Sequence, residues 1–225
     1  MKAIVQKWIP ELSAAQAEQF ARYYELLREW NERMNLTAIT EAEEVAQKHF
    51  ADSALGAPFI KAGASLIDVG TGAGFPGLAL KILRPDIKLT LLDSLQKRIN
   101  FLEAVCGELG FADVRCIHAR AEDGARDKAL RGKFDVAAAR AVAGTAFLTE
   151  WLIPFVKVGG QALLYKGPQA ADELKAAQSA LQKLGCTAEL HAYAAAWGER
   201  SIIVLTKRAE TDKKYPRKAG TKTAL

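Results

Sequence analysis

The sequence predicts an α/β fold, a mostly parallel seven-stranded sheet with helices on both faces behind an N-terminal helical cap. Three observations carry the prediction. Beyond Ala64, short apolar runs alternate with helical stretches, the rhythm of parallel strands joined by right-handed crossovers. Between Leu66 and Gly77 an apolar strand runs into four glycines within eight residues and then into the apolar helix Leu78 to Leu83. The last two strands follow one another with no helix between them, so one edge of the sheet is mixed.

The elements follow in order. From Glu11 to Met34 the residues Phe20, Tyr23, Tyr24, Leu27, Trp30 and Met34 recur near helical spacing, which predicts an amphipathic helix whose aromatic stripe faces the core. Thr40-Glu-Ala-Glu43 has the capping-box pattern and opens a second helix through about Phe50. Strands are expected at 65 to 69, 88 to 92, 113 to 118, 134 to 139, 161 to 165, 187 to 193 and 201 to 206. Helices are expected at 76 to 84, 95 to 109, 123 to 131, 145 to 157 and 170 to 184. The expected organisation is a cap over 1–60, a cofactor-binding α/β domain over 61–207 and a basic tail over 208–225, one structural domain in all.

Composition bounds the function. With 225 residues, half of them hydrophobic, the chain can bury one sizeable core. No run approaches 18 apolar residues and Met-Lys-Ala-Ile-Val-Gln-Lys is no signal peptide, so a cytoplasmic protein with no membrane contact is expected. Cys106, Cys116 and Cys186 are odd in number and far apart, which reads as free thiols and no metal site. The net charge of +5 sits entirely in the tail, where Lys207, Arg208, Lys213, Lys214, Arg217, Lys218 and Lys222 face only Glu210 and Asp212. Such a tail is expected to lack stable structure by itself and either to contact a phosphate backbone or to serve as a solubilising terminus. A monomer is expected.

The glycine run predicts where a cofactor sits, because glycine lets a ligand approach main-chain N–H groups at a helix start. Gly72, Gly74 and Gly77 satisfy G-x-G-x-x-G, the dinucleotide fingerprint, and the glycines could also serve strand-to-helix packing alone. Asp68 places a carboxylate before the turn, where it repels a pyrophosphate and attracts a cation. Pro76 removes one N–H from the first helical turn. S-adenosyl-L-methionine, with an ammonium, a sulfonium and no phosphate, fits this loop better than NAD.

Ligands in open α/β sheets bind beyond the carboxyl ends of the strands, so those ends are the candidate positions. Asp93 closes the second strand about twenty residues past the glycines, where a carboxylate accepts ribose hydroxyls or caps the following helix. Arg120-Ala121-Glu122-Asp123 follows the third strand, where an adenine edge would lie, although acidic residues also suit a first helical turn. Arg140 closes the fourth strand amid small residues, a guanidinium placed to hold a carboxylate or phosphate or to be paired structurally. Lys166 adds a second cation at the end of the fifth strand. Both are candidate substrate-positioning residues, and no catalytic base is assigned.

Absent motifs narrow the chemistry further. No Asp/Asn-Pro-Pro-Tyr element follows the fourth strand, which disfavours methylation of an exocyclic amine, and no cysteine occupies a nucleophile loop. A ring nitrogen such as guanine N7 has an in-plane lone pair and needs no general base, so catalysis reduces to positioning and desolvation. His49, Asp52 and Ser53 lie too close in sequence for a relay and read as a local polar cluster. Two other readings are an NAD-dependent oxidoreductase and a non-catalytic RNA-binding module.

Asn31-x-x-Met-Asn-Leu-Thr37, Lys48-His-Phe-x-Asp-Ser53, Asp68-Val-Gly-Thr-Gly-Ala-Gly-Phe-Pro-Gly77, Leu91-Leu-Asp-Ser-x-x-Lys-Arg98, Arg140-Ala, Lys166-Gly and Lys214-Tyr-Pro-Arg-Lys-Ala-Gly220 together resemble the bacterial small-subunit rRNA guanine-N7 methyltransferase family, also called glucose-inhibited division protein B. The resemblance spans nearly the whole chain. It implies a class I methyltransferase with a Rossmann-like fold that uses S-adenosyl-L-methionine to methylate N7 of one guanine, position 527 in the 530 loop of 16S rRNA, with the rRNA or the small ribosomal subunit as partner. Carried over by position, it implies cofactor contacts at Gly70, Phe75, Ala121, Glu122 and Arg140, beside Asp68, Gly72 and Asp93. The tail departs from the family pattern at Lys222, where a proline is common.

Overall fold

The computed structural model describes residues 1–221 and 223–225; Lys222, in the basic tail, lies outside the described residues. Seven strands form one sheet in the order β3-β2-β1-β4-β5-β7-β6. These are β1 (Ser65–Val69), β2 (Lys88–Asp93), β3 (Arg115–His118), β4 (Phe134–Arg140), β5 (Val156–Lys166), β6 (Cys186–Ala195) and β7 (Gly198–Lys207). The first five run parallel, and β7 pairs antiparallel with both β5 and β6, as the missing crossover helix requires.

Strand periodicity divides the core. Leu66, Leu89, Leu91, Val136, Ala138, Leu163 and Ile202 face the layer that holds the cap, while Ile67, Leu92, Ala137, Ala139, Leu164 and Ile203 face the opposite layer. This is the period of two expected of strands buried on both faces.

The cap comprises α1 (Lys2–Trp8), α2 (Ala14–Met34), α3 (Ala42–Val45), one stretch of π-helix (Ala46–Ala51) and α4 (Asp52–Ala54). Phe20, Tyr23 and Leu27 are buried and Trp30 packs on Phe101, so the aromatic stripe is core. The reciprocal capping box lies at Ser13 and Gln16, at the start of α2. The Thr40–Glu43 pattern does not form one: Glu41 occupies the cap position, and Glu43 instead accepts hydrogen bonds from Lys7 Nζ at 2.7 Å and Trp8 Nε1 at 2.8 Å. A tertiary partner outcompetes the local backbone N–H for that carboxylate, and it anchors α1, which the sequence did not reveal as a helix.

The crossover helices are α5 (Gly77–Leu83), α6 (Gln96–Leu109), α7 (Ala121–Gly124), α8 (Thr145–Leu152), α9 (Ala170–Ala176) and α10 (Gln178–Lys183). Three are shorter than the sequence predicts. The α7 helix stops at Gly124, and Asp127 organises the following turns by accepting from Ala129 N–H. The α8 helix stops before Pro154, which cannot continue it, so β5 starts at Val156. The expected helix over 170–184 is two helices that meet at Ala177.

The tail is folded against the body. Tyr215 is buried in the core layer, Arg131 donates to the carbonyls of Thr211, Asp212 and Tyr215, and Arg217 clamps the buried Glu150. Burial pushes the Glu150 carboxyl up, but the Arg217 side chain and N–H overcome this and hold it below the usual carboxylate range. Of the seven basic residues, Lys207 is buried against the Val156 carbonyl and Lys214 pairs with Asp212, while Lys213 and Lys218 are exposed without ion pairs among the described residues. Charge and composition suggested a loose tail, but its single tyrosine and one arginine dock it.

Candidate functional site

The glycine loop leaves β1 at the point where the strand order reverses between β1 and β4, the switch point at which open sheets bind ligands. Asp68 is fully buried. Its Oδ2 accepts from Thr71 Oγ1 at 2.6 Å and from Gly77 N–H at 2.8 Å, closing the N-terminus of α5. A Cβ at Gly77 would lie 2.8 Å from that oxygen and 2.6 Å from Leu91, so this glycine exists for close approach. Gly72 differs. Its φ is +61° and a Cβ there would meet nothing within 4 Å, so this turn presents bare backbone to open space. The loop therefore combines a packing glycine with a ligand-facing one.

Asp68 Oδ1 is buried and accepts no hydrogen bond among the described residues. Burial raises the Asp68 carboxyl to about 6, against the hydrogen bonds of Thr71 and Gly77. An orphaned anionic oxygen under the loop suits a cationic ligand and opposes a phosphate, and the α5 N–H a pyrophosphate would need is already taken.

Asp93 is almost fully buried, with Oδ2 accepting Gly72 N–H at 2.9 Å and Oδ1 accepting Leu95 N–H at 2.9 Å. It pins the ligand-facing turn and, through Leu95 N–H and an ion pair with Arg98 at 3.3 Å, the turn that leads into α6, whose cap position is Leu95. Ala121 and Glu122 open α7 beyond β3, half-buried, and the Glu122 carboxylate makes no hydrogen bond or ion pair among the described residues. Phe75 lies beneath His49, stacked at 4.5 Å, and beside Tyr23 at 5.3 Å. Gly70 is roofed by Val142, which a Cβ at Gly70 would approach to 3.0 Å.

On the other side of the loop a cleft of about 610 Å³ opens between the π-helical turn and the ends of β4 and β5, lined among others by Lys48, His49, Arg140, Lys166 and Glu173. Arg140 is on this wall but is not free. It donates to the Lys48 carbonyl at 2.7 Å, to Asp52 Oδ2 at 3.1 Å and to His49 Nδ1 at 3.0 Å, and lies 5.1 Å over the Phe75 ring. Its guanidinium locks the cap to the strand ends, the structural pairing that the sequence left open as an alternative. Lys166 is likewise on the rim but ion-paired, with Glu173 Oε2 at 2.7 Å and the Ala143 carbonyl at 2.7 Å.

Two groups approach Nδ1 of His49, the Arg140 guanidinium at 3.0 Å and the Lys48 carbonyl at 3.2 Å; the guanidinium, which can only donate, is the nearer and makes Nδ1 an acceptor, so Nε2–H donates to Thr37 Oγ1 at 2.9 Å. Burial, then the Arg140 charge, pushes the imidazole down to about 3, so the ring is neutral. Asp52 is the hub, since its Oδ1 also accepts from Arg200 Nε at 3.0 Å and Trp197 Nε1 at 3.2 Å. Sequence reasoning took Asp52 for part of a local cluster and passed over Arg200 and Glu173. The Lys48–Ser53 motif was the one signal, and it carried no hint of partners 88 and 148 residues away. The π-helix at this turn places Lys48, His49 and Asp52 along one wall, a distortion common at functional sites. Ala141, at φ +55°, is a second strained position at the same rim.

Comparison with known proteins gives the family and the fold. Residues 16–203 match the sequence model of the GidB family, described as rRNA small subunit methyltransferase G. A ribosomal RNA small subunit methyltransferase G of Clostridium botulinum (strain Eklund 17B / Type B) is 47% identical over 221 residues, 95% of this chain and 91% of that protein. One of Streptococcus sanguinis (strain SK36) is 49% identical over 217 residues, 93% of this chain and 91% of the relative. Among solved structures, a methyltransferase from Pyrococcus furiosus superposes with a TM-score of 0.60 at 16% identity, covering 86% of this chain and 100% of that one. A SAM-dependent methyltransferase from Aquifex aeolicus gives 0.57 at 16% identity, covering 76% and 96%. At that identity the structures speak to the fold alone, a class I methyltransferase, Rossmann-like sheet. Among the described residues no three metal-ligating side chains come together, and no helix is long and apolar enough to cross a membrane.

Proposed function

The chain belongs to the GidB family, rRNA small subunit methyltransferase G, and from that premise we propose that it methylates N7 of a single guanine in the 530 loop of 16S rRNA, using S-adenosyl-L-methionine. The observation that carries the choice of cofactor is the buried Asp68 carboxylate. It occupies the N–H at the start of α5 and leaves one anionic oxygen unpaired, which supports a cationic ligand over NAD.

When bound, S-adenosyl-L-methionine supplies an electrophilic methyl group. Gly70, Gly72, Asp93, Ala121 and Glu122 are the residues proposed to hold it, Asp93 and Glu122 by accepting hydrogen bonds from ribose and adenine donors. Phe75 and Arg140, which the family resemblance also puts at the cofactor, pack on each other at 5.1 Å, with Arg140 on the cleft wall. The acceptor N7 bears no proton, so the chain has none to remove, and the neutral, locked His49 is consistent with a wall that orients and excludes water. The domain division at about 60 and 207 is kept only as a description of cap, body and tail, since the cap packs into the core layer on one face of the sheet and Tyr215 of the tail into the layer on the other.

Incubation with labelled S-adenosyl-L-methionine and small ribosomal subunits, or their RNA, is expected to label one guanine at a site sensitive to N7-specific cleavage. Absence of transfer to any form of the rRNA would overturn the proposal.

A further inference from the structure

One carboxylate in the cleft is held by the fold and left half unused. Glu173, in the first turn of α9, has Oε2 saturated by three donors: Lys166 Nζ at 2.7 Å, Thr145 N–H at 2.9 Å and Thr145 Oγ1 at 2.9 Å. These come from β5 and the start of α8 and fix the carboxylate in one orientation. Oε1 accepts nothing among the described residues, although Glu173 lines the cleft. The other carboxylate of that wall, Asp52, is engaged at both oxygens by Arg140, Arg200 and Trp197. Burial pushes the Glu173 carboxyl up, but Lys166 and Thr145 carry it below the usual value, so it stands as an anion.

A methyl acceptor at N7 poses a selection problem. Adenine and guanine carry the same in-plane lone pair at N7, so discrimination comes from the neighbouring O6 or N6 group or from the Watson–Crick edge, and the groups placed in this cleft suit the latter. Guanine offers N1–H and the N2 amine as donors, whereas adenine presents a lone pair at N1 that repels a carboxylate. The glycine loop lies at the end of β1 and Lys166 at the end of β5, with only β4 between, a separation of roughly 10 Å across two strand spacings. One purine ring with a contact at each end fills that span.

We infer that Glu173 Oε1 reads the Watson–Crick edge of the acceptor guanine, accepting N1–H and N2–H, and that Lys166 is a positioning residue that holds this carboxylate. The inference rests on the proposed reading of the cleft as the seat of a guanine N7. A carboxylate held in place to pair with two donors loses those contacts when the base lacks them, which gives selectivity.

The test uses the full chain with RNA bearing guanine or inosine at the methylated position, inosine lacking only the N2 amine. The wild-type protein is expected to favour guanine about tenfold in kcat/KM, the scale of one charge-assisted hydrogen bond. In Glu173→Gln, whose amide oxygen can keep the Lys166 and Thr145 contacts, transfer to guanine is expected to fall by about that factor and the guanine-to-inosine ratio to approach one. Affinity for S-adenosyl-L-methionine, read by calorimetry, should not change. A Gln variant that binds cofactor normally and keeps the wild-type ratio overturns the inference while leaving the proposed activity intact. If the variant does not fold, the wild-type ratio decides, a ratio near one overturning it; a wild-type protein that labels no guanine at all overturns the activity itself.

Discussion

At the scale of the residue, Asp52 carries more of the architecture than its place in the sequence suggests. Two guanidinium groups and an indole N–H converge on a carboxylate that is 5% exposed, so its removal leaves two buried or half-buried cations unpaired. Asp52→Ala is expected to cost about 3 kcal/mol in urea unfolding. His49 adds a pH dependence whose sign is fixed. Its folded-state value, about 3, lies below the ordinary 6.5, so the unfolded chain takes up the proton first. The contribution of His49 is complete above pH 6.5 and is lost as pH falls from there toward 3. Asp68 acts oppositely: raised from 3.8 to about 6, it favours the folded state at low pH and costs stability as pH rises across that window. The His49 ring resonances are therefore expected to stay those of the neutral Nε2–H tautomer in NMR spectra from about pH 8 down to about pH 5. A titration midpoint near 6.5 would contradict the assigned hydrogen bonds.

At the scale of the element, the strand-loop-helix unit separates into two kinds of glycine, and substitution distinguishes them. Gly77→Ala drives a methyl into Asp68 and Leu91 and is expected to destabilise by about 2 kcal/mol, measured by chemical unfolding. Gly72→Ala meets no atom and pays only for its positive φ, about 1 kcal/mol, so the protein should fold and lose cofactor affinity in calorimetry. The tail is a second element whose behaviour follows from one ion pair. Glu150 is buried, and Arg217 supplies both its side-chain donors and a backbone N–H. Arg217→Ala leaves that carboxylate with a single hydrogen bond, and a loss of about 3 kcal/mol in thermal or urea unfolding is expected. A variant as stable as the parent would show that the tail does not brace α8.

At the scale of the whole molecule, the cap and the sheet meet across the cleft, so ligand binding and folding are coupled. S-adenosyl-L-methionine at a hundred times its Kd is expected to stabilise the protein by about 2.7 kcal/mol, read as a rise in melting temperature, with NAD giving no shift. The succession of strands along the chain, the antiparallel edge and the position of the glycine loop after β1 were legible in the sequence, because each depends on local signals: period-two apolar runs, glycines after a strand, a missing crossover helix. The core role of the α2 aromatics was legible for the same reason. Helix ends were less so, since Glu43 found Lys7 and Trp8 instead of its own backbone and since α7 and the helix after Lys166 broke where turn hydrogen bonds won. Arg140 and Lys166 were correctly located at strand ends, but their partners were invisible, because Asp52 and Glu173 reach them through the tertiary fold. The sequence by itself determined the fold, the family and the strand ends at which chemistry gathers, since backbone preference and apolar spacing act over a few residues. Only the tertiary structure decided which charges are paired, because pairing depends on distances between residues that the chain brings together from far apart; it spent Arg140 and Lys166 on holding the site and left one oxygen of Glu173, on the cleft wall, without a partner among the described residues.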